Sequence, residues 1–514
     1  MRKEIIADVN PHEARIALLE DGELAEVQVE LRGRERIVGN IYKGRVANIL
    51  PGMQAAFVDM GLEKNAFLYA GDILVDKSDF EFEHKENAKE EIEGKLKIPN
   101  IQDILKPGQE IMLQVLKQPG GNKGARVTTH ITLPGRRLVL MPTVDHIGVS
   151  RRIEDEGERE RLKDILSEIK PKGMGLIVRT AAVGGQKEDF EPEINFLTRL
   201  WEKIRSKADF LSAPRLIHSE ETLLFRTVRD LFTEDVDRFL ISDKDYYEKV
   251  VAVANITTPE MKDRIQYYES DSNIFDDFGI ESKIDKAMQR KVWLKSGCYL
   301  VIDETEALTV IDVNTGKYIG ENDLQETIVN ANIEAAAEIA RQLRIRDISG
   351  IIVIDFIDME SEENKQRVVE ALEQALKRDR TKSNVLGITS LGLVEMTRKK
   401  VRRKLSTLLQ VTCPYCDGRG KVYSKQAMSL RVRREIARRI DKDTPQTFVV
   451  ETHPSIARYI IEKNNSNQAI LDAYENKKFY IVANKDMLYE QINITQVVDK
   501  KDLDQLIHDA QVFC

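Results

Sequence analysis

Residues 307–320 read ALTVIDVNTGKYIG, and residues 350–359 read GIIVIDFIDM. Each contains a short apolar run that ends on an aspartate: Leu308 to Ile311 before Asp312, and Ile351 to Ile354 before Asp355. Between them runs a stretch rich in Ala, Ile and Glu, from about Asp323 to Leu343, with Asn322 placed to cap its start. Strand, helix, strand with continuous apolar strands is a βαβ unit whose strands are parallel. Their carboxyl ends then lie together, at the edge where open α/β sheets bind ligands. The pattern places Asp312 and Asp355 side by side, and Asn314, two residues on, faces the same way.

Two adjacent carboxylates repel unless a proton or a cation lies between them. Carboxylate and amide oxygens suit Mg²⁺ or Mn²⁺. An ion held there polarises a phosphoryl oxygen and acidifies a bound water, which is phosphodiester hydrolysis. The competing reading is that each aspartate caps the turn after its strand. Asp358 reads best as such a cap for the loop before Ser361. VNTGKY has a Gly-Lys pair but no upstream glycine, so it is not a phosphate-binding P-loop.

Downstream, from Arg398 to Ile440, the chain carries 14 basic residues and only two acids, Asp417 and Glu435, a local charge of +12. With so few acids nearby, that density reads as a site for a phosphate backbone; the alternative is a solvated helical face. Within it lies TCPYCDGRG (412–420). A CxxC with trailing glycines is half of a zinc site. Cys298 and Cys514 are isolated and His453 is distant in sequence, so the economical completion is two chains each giving Cys413 and Cys416 to one Zn²⁺. A thioredoxin-like redox pair is the alternative, but the strand-to-helix setting is missing.

Upstream, residues 1 to about 35 alternate apolar and polar as a meander, turning at Asn10-Pro11 and Glu20-Asp21-Gly22. Short strands with glycine punctuation follow to about residue 74, and another spans Gln109 to Gln118, which suggests a small barrel. Tyr42, Phe57 and Phe67 stand near Lys43, Arg45 and Lys64, as in barrels that stack single-stranded bases; aromatics in small barrels also serve as core. Residues 76–93 hold eight acids against three bases and read as a solvated loop. GLIVRTA (175–181) ends an apolar strand at Arg179 and Thr180, a pair that can hold a terminal phosphate or be an ordinary surface turn. Helices are expected from about 154 to 169 and from 190 to 208.

The chain has 514 residues, enough for three or four domains at ~150 residues each. Its net charge of −8 argues against a polyanion binder until the distribution is read. Four cysteines exclude a disulfide scaffold, and nothing approaches the ~18 apolar residues of a membrane span. Acidic residues stand where a secretion signal would have its apolar core, so a soluble cytoplasmic protein is expected.

In order, GNIYKGRVANIL, AAFVDMGLEKNAFL, GNKGARVTT, GLIVRTA, TVIDVNTGK, GIIVIDFIDM and TCPYCDGRG resemble the bacterial ribonuclease E/G family, most closely its short members without a C-terminal scaffold. The resemblance implies an α/β multidomain chain. Residues 1–35 and 222–288 would form an RNase H-like fold, interrupted by an S1 (OB) domain at 36–125 and a 5′-sensor region at 126–221. A DNase I-like catalytic region at 289–409, a zinc link at 410–424 and a small C-terminal domain at 425–514 would follow. It further implies a Mg²⁺-dependent endoribonuclease for single-stranded, AU-rich RNA, acting in rRNA processing and mRNA decay. Asp312 and Asp355 would hold Mg²⁺, Asn314 would orient the site, and Phe57, Phe67 and Lys117 would line an RNA channel. Arg179 and Thr180 would sense a 5′-monophosphate, and Cys413 and Cys416 would carry the shared zinc of a homodimer or dimer of dimers. The family's DRxR segment reads Asp379-Arg380-Thr381-Lys382 here. Lys382 keeps the charge but loses the bidentate fork, which implies a weaker 5′-monophosphate preference. The early Asp8 has no evident partner set. Two other readings share these features: a non-catalytic RNA-binding assembly protein, and a DNA-directed nuclease.

Overall fold

The N-terminal meander forms three antiparallel strands, Lys3–Val9, Glu13–Glu20 and Glu23–Leu31. Asp21 and Gly22 make the tight turn with positive φ. In this computed structural model the described residues are 1–31, 33, 36–73, 100–119, 123–220, 222–317, 324–440, 446–462, 477–497 and 511–513. The acidic stretch 76–93, the Asn322 cap and Cys514 lie outside them. The chain divides into two units, Met1–Leu408 and Leu409–Cys514.

In the first unit the meander is completed late. Arg238–Ile241 returns as a parallel neighbour of Lys3–Val9, and Ile265–Tyr267 pairs beyond it. Everything between about residues 36 and 220 is thus inserted into one five-stranded sheet. Alternation along its strands sends Ile5, Ala7 and Val9 to one core and Ile6, Ala17 and Leu19 to another, so both faces are covered. The Asp8 carboxylate accepts from Arg15 Nε at 3.2 Å and Asn273 Nδ2 at 3.2 Å.

The insertion begins with the barrel. Five strands, Ile41–Leu50, Ala55–Asp59, Ala66–Tyr69, Arg126–Thr128 and Glu110–Lys117, pair in that order, and the last pairs back onto the first. Val46, Ala56, Val58, Leu68, Leu113 and Val127 fill its interior. Gly44 is required there, because a Cβ would stand 2.7 Å from Val58 Cγ1. A four-stranded sheet follows, packed under helices Glu156–Ile169 and Lys187–Phe210.

The Asp312 region forms a six-stranded sheet in the order Lys291–Trp293, Tyr299–Glu304, Leu308–Asn314, Gly350–Asp355, Leu393–Arg398, Ser383–Ile388. Helices Leu324–Arg346 and Glu362–Leu376 cover one face, burying Ile311, Val313, Ile352, Ile354, Val394 and Met396. Helix Leu324–Arg346 also ties this sheet to the N-terminal one. Its Ala335 and Ile339 pack on the acid-bearing sheet, Ile345 joins the other core, and Arg344 Nη2 bonds Glu20 at 2.8 Å.

The second unit has its own core of Met428, Val432, Ile436, Phe448, Val450 and Ile460. It comprises helices Lys425–Arg439 and Pro454–Glu462 and a four-stranded sheet in which Gln446–Thr452 runs parallel to Lys477–Ala483. Among the described residues no helix is long and apolar enough to cross a membrane.

Candidate active site

Leu308–Asn314 and Gly350–Asp355 are parallel neighbours, in register from Leu308 with Ile351 to Asp312 with Asp355. Register partners share a face and stand about 4.8 Å apart across the sheet. The alternation that buries Ile311 and Ile354 under the helices turns Asp312 and Asp355 to the opposite face, with Asn314 beside them. Asn314 Nδ2 donates to Asp312 Oδ2 at 2.8 Å, which fixes the aspartate's orientation and leaves the amide oxygen for other partners.

The electrostatics follow from this packing. The Asp355 carboxyl is pushed above its ordinary range, first by lost hydration and then by the facing charges of Asp312 and Asp358. Ser361 takes the cap position of helix Glu362–Leu376 without a side-chain cap bond. Among the described residues no group of three or more His, Cys, Asp or Glu side chains gathers as a complete cage. Two carboxylates and one amide suit a hard divalent ion that keeps several waters, which is how Mg²⁺ is usually held.

On the barrel, Phe57 and Phe67 are register partners, with ring centroids 6.2 Å apart in an edge-to-face arrangement. Both point outward and are half-buried while Ala56, Val58, Ala66 and Leu68 fill the interior. The row continues across the next two strands, from Phe67 to Arg126 and from Arg126 to Lys117. Sequence reading missed Arg126. Only strand order reveals that it stands between the phenyls and Lys117, held bidentate by Asp72 at 3.0 and 3.1 Å.

Arg179 ends its strand as expected, but it is not a free surface group. Nη1 donates to Gly135 O at 2.6 Å and Nη2 to Asp230 at 2.7 Å. A guanidinium has five donors, so donors remain for a ligand. Thr180 is exposed beside it. The 379–382 segment reaches the same carboxylate-bearing turn, because Arg380 Nη1 bonds Asp230 O at 2.8 Å. Lys382 is exposed, and the contacts link its segment, not its ammonium, to Arg179.

Two expectations need correction. Part of the basic belt is paired with acids from elsewhere in the chain. Arg398 is buried between Asp379 at 2.6 Å and Asp347 at 2.9 Å, and Lys404 pairs with Glu304 at 2.8 Å. Arg419 pairs with Glu490 at 2.5 Å. Other bases of the belt lie on helix Lys425–Arg439. There Met428, Val432 and Ile436 point inward while Arg431 and Arg434 are exposed, and Arg438, paired with Glu435, also reaches solvent. The second correction concerns His453, distant in sequence but close to the CxxC loop in space. Its ring centroid lies 6.4 Å from that of Tyr415. Its nitrogens already face Tyr415 OH at 3.5 Å and Ser455 Oγ at 2.8 Å.

Cys413 is exposed and Cys416 half-buried on the turn. Backbone N–H groups of Cys416 and Tyr415 hold the Cys413 thiol below its ordinary range, favouring the thiolate. Cys298 is buried in the core of the Asp312 sheet.

Comparison with known proteins first gives the class. The chain is 43% identical to Ribonuclease G of Haemophilus influenzae over 462 residues, 90% of this chain and 92% of that one. It is 40% identical to Ribonuclease G of Escherichia coli strain K12 over 497 residues, 97% and 100% of the two chains. With Ribonuclease E of Haemophilus influenzae it shares 34% identity over 519 residues, covering all of this chain and 54% of that protein. This protein is an endoribonuclease. Residues 132–401 match the Ribonuclease E/G family, and residues 412–497 match the domain described as RNase E/G, Thioredoxin-like. The chain belongs to the Ribonuclease E/G family. Its CxxC turn precedes the first strand of the C-terminal sheet, so the cysteines do not sit at a strand end.

Proposed function

We propose that this endoribonuclease cuts single-stranded, A/U-rich RNA at Asp312 and Asp355 in a Mg²⁺-dependent reaction, leaving 5′-phosphate and 3′-hydroxyl ends. The observation that carries the reading is the register pairing of the two aspartates at matching ends of parallel strands. A divalent ion held by these carboxylates would acidify a bound water and offset charge on the phosphoryl group. The chain's own residues do the positioning. Asn314 holds Asp312 in one orientation, and the helices behind the sheet fix both strands. The row Phe57, Phe67, Arg126, Lys117 offers stacking faces and cations to a single strand. The outer face of helix Lys425–Arg439 offers further phosphate contacts.

On this reading Arg179 and Thr180, with Lys382, receive a 5′-monophosphate. The segments are an RNase H-like fold (1–35 and 222–288), an S1 (OB) domain (36–125), a 5′-sensor (126–221) and a DNase I-like region (289–409). A zinc link (410–424) and a small domain (425–514) complete the chain. The closed barrel and the return of Arg238–Ile241 beside Lys3–Val9 support the first two assignments. Zn²⁺ on Cys413 and Cys416 of two chains would make a homodimer or a dimer of dimers. The cellular setting is cytoplasmic rRNA maturation and mRNA decay.

The test is cleavage of a 5′-labelled oligoribonucleotide, beside its DNA equivalent, with Mg²⁺ or with chelator. Asp312→Asn and Asp355→Asn are expected to lose cleavage by several orders of magnitude while RNA affinity persists. Wild-type rates from either variant would remove the two aspartates from the chemistry.

A further inference from the structure

The face of the Asp312 sheet that the helices leave uncovered carries more than the acids. Its hairpin Lys291–Trp293 and Tyr299–Glu304 pairs Lys291 with Val301 and Trp293 with Tyr299. The next ladder pairs Val301 with Asp312 and Tyr299 with Asn314. Two rows therefore run side by side on one face: Lys291, Val301, Asp312, Asp355, and Trp293, Tyr299, Asn314. The intervening Val292, Leu294, Leu300 and Ile302 are buried on the helix side. That settles which way the aromatics point.

Trp293 is 55% exposed. Its ring centroid lies 5.2 Å from that of Tyr299, with planes 56° apart. Lys291 Nζ lies 3.4 Å from the Tyr299 centroid and 4.1 Å from the Trp293 centroid. A tryptophan kept at the surface, with a cation beside its π-face, is poorly explained by core formation. Hairpin pairing accounts for the Trp–Tyr contact but not for the exposure. Trp293 stands two strands from Asn314 and, across the neighbouring row, about 12 Å from Asp312 and about 16 Å from Asp355 at strand and residue spacing. A single strand with a phosphate held at the aspartates spans that distance within one or two nucleotides. Every base has a π-face, and aromatic platforms with an adjacent cation hold single strands through it.

We propose that Trp293 and Tyr299, with Lys291, form a stacking subsite for a base next to the scissile phosphate. The inference rests on Asp312 and Asp355 being the cleavage site. It assigns the substrate's neighbouring base a docking place that sets where cleavage falls.

The chain has two tryptophans, and the other, Trp201, is 7% exposed, so solvent-accessible emission reports Trp293. In the full chain carrying Asp355→Asn, an A/U-rich oligoribonucleotide is expected to quench that emission. In the otherwise wild-type chain, Trp293→Leu is expected to lower kcat/KM by about 5- to 150-fold, the range for losing one stacked base. Trp293→Phe should recover most of it. Substrates with one abasic nucleotide locate the subsite. Wild type should lose a similar factor at one position flanking the cut, where Trp293→Leu loses nothing further. Thermal unfolding separates a merely structural role, since a destabilised hairpin would act equally on all substrates. Unquenched emission together with unchanged kcat/KM in Trp293→Leu overturns the subsite, as does an equal loss at every abasic position. The quench is measured without cleavage, so it stands or falls separately from the assignment of the two aspartates.

Discussion

Arg179 shows how much a single residue's surroundings add to its sequence context. Its position at a strand end, before Thr180, is readable from GLIVRTA. Its anchor is not, because Asp230 lies 51 residues away on a different element. Burial pushes the Asp230 carboxyl up, but Arg229 and Arg179 outweigh it and hold the group below its ordinary range. Such a group stabilises the fold above its unfolded-state pKa, near 4, and loses that contribution as pH falls through the lowered value. Asp230→Asn is expected to cost about 1 kcal/mol near neutral pH, discounted because the side chain is 35% exposed. Wild type and variant should converge in stability on acidification, as read by chemical denaturation across pH. The same change frees Arg179 to swing, so on the proposed sensor role a preference for 5′-monophosphate over 5′-hydroxyl RNA should fall. Preference left intact would mean that Arg179 does not act through this anchor.

Among elements, the parallel pair at Asp312 and Asp355 was the most legible, because a buried parallel strand needs an unbroken apolar run and its end is where polar residues reappear. Trp293 and Tyr299 were not legible. Six residues apart in sequence, they alternate with Val292, Leu294 and Leu300 and read as ordinary strand residues until the hairpin register aligns them. The basic belt misled for the opposite reason: counting neighbours in sequence ignores acids brought in by the fold. Its two parts should now behave differently. Arg398 is buried with two carboxylates, and removing it strands their charges, so Arg398→Met is expected to destabilise by about 3–5 kcal/mol. Arg431, Arg434 and Arg438 sit on the solvent face of their helix, at spacings of three and four residues. Changing all three to Gln should leave the melting midpoint nearly unmoved. It should also reduce the salt slope of RNA binding by about 2, at roughly 0.7 per lost phosphate contact. An unchanged slope would return this face to plain solvation.

On the proposed function, each chain would carry a complete acid pair but only half of a zinc site. Both aspartates come from one βαβ unit, so hydrolysis there would need no second copy. A structural zinc needs four ligands, and the CxxC turn would supply two. Among the described residues, His453 is the histidine the fold brings near, and its two nitrogens already face Tyr415 and Ser455. Cys298 is buried in the other unit's sheet. In the proposed dimer a second copy of the same turn would complete the set under two-fold symmetry, where the same patch meets itself. The backbone N–H groups that favour the Cys413 thiolate would prepare it for the proposed zinc, which binds a thiolate and releases the proton. Metal content should therefore fall on acidification as thiols are protonated. Cys413→Ser is expected to abolish zinc binding and halve the particle mass, read by elemental analysis and light scattering on the same sample. One zinc per two chains in the wild type is the stoichiometry that sharing requires. One zinc per chain, or a Cys413→Ser variant that keeps its mass without metal, would place the association on another surface.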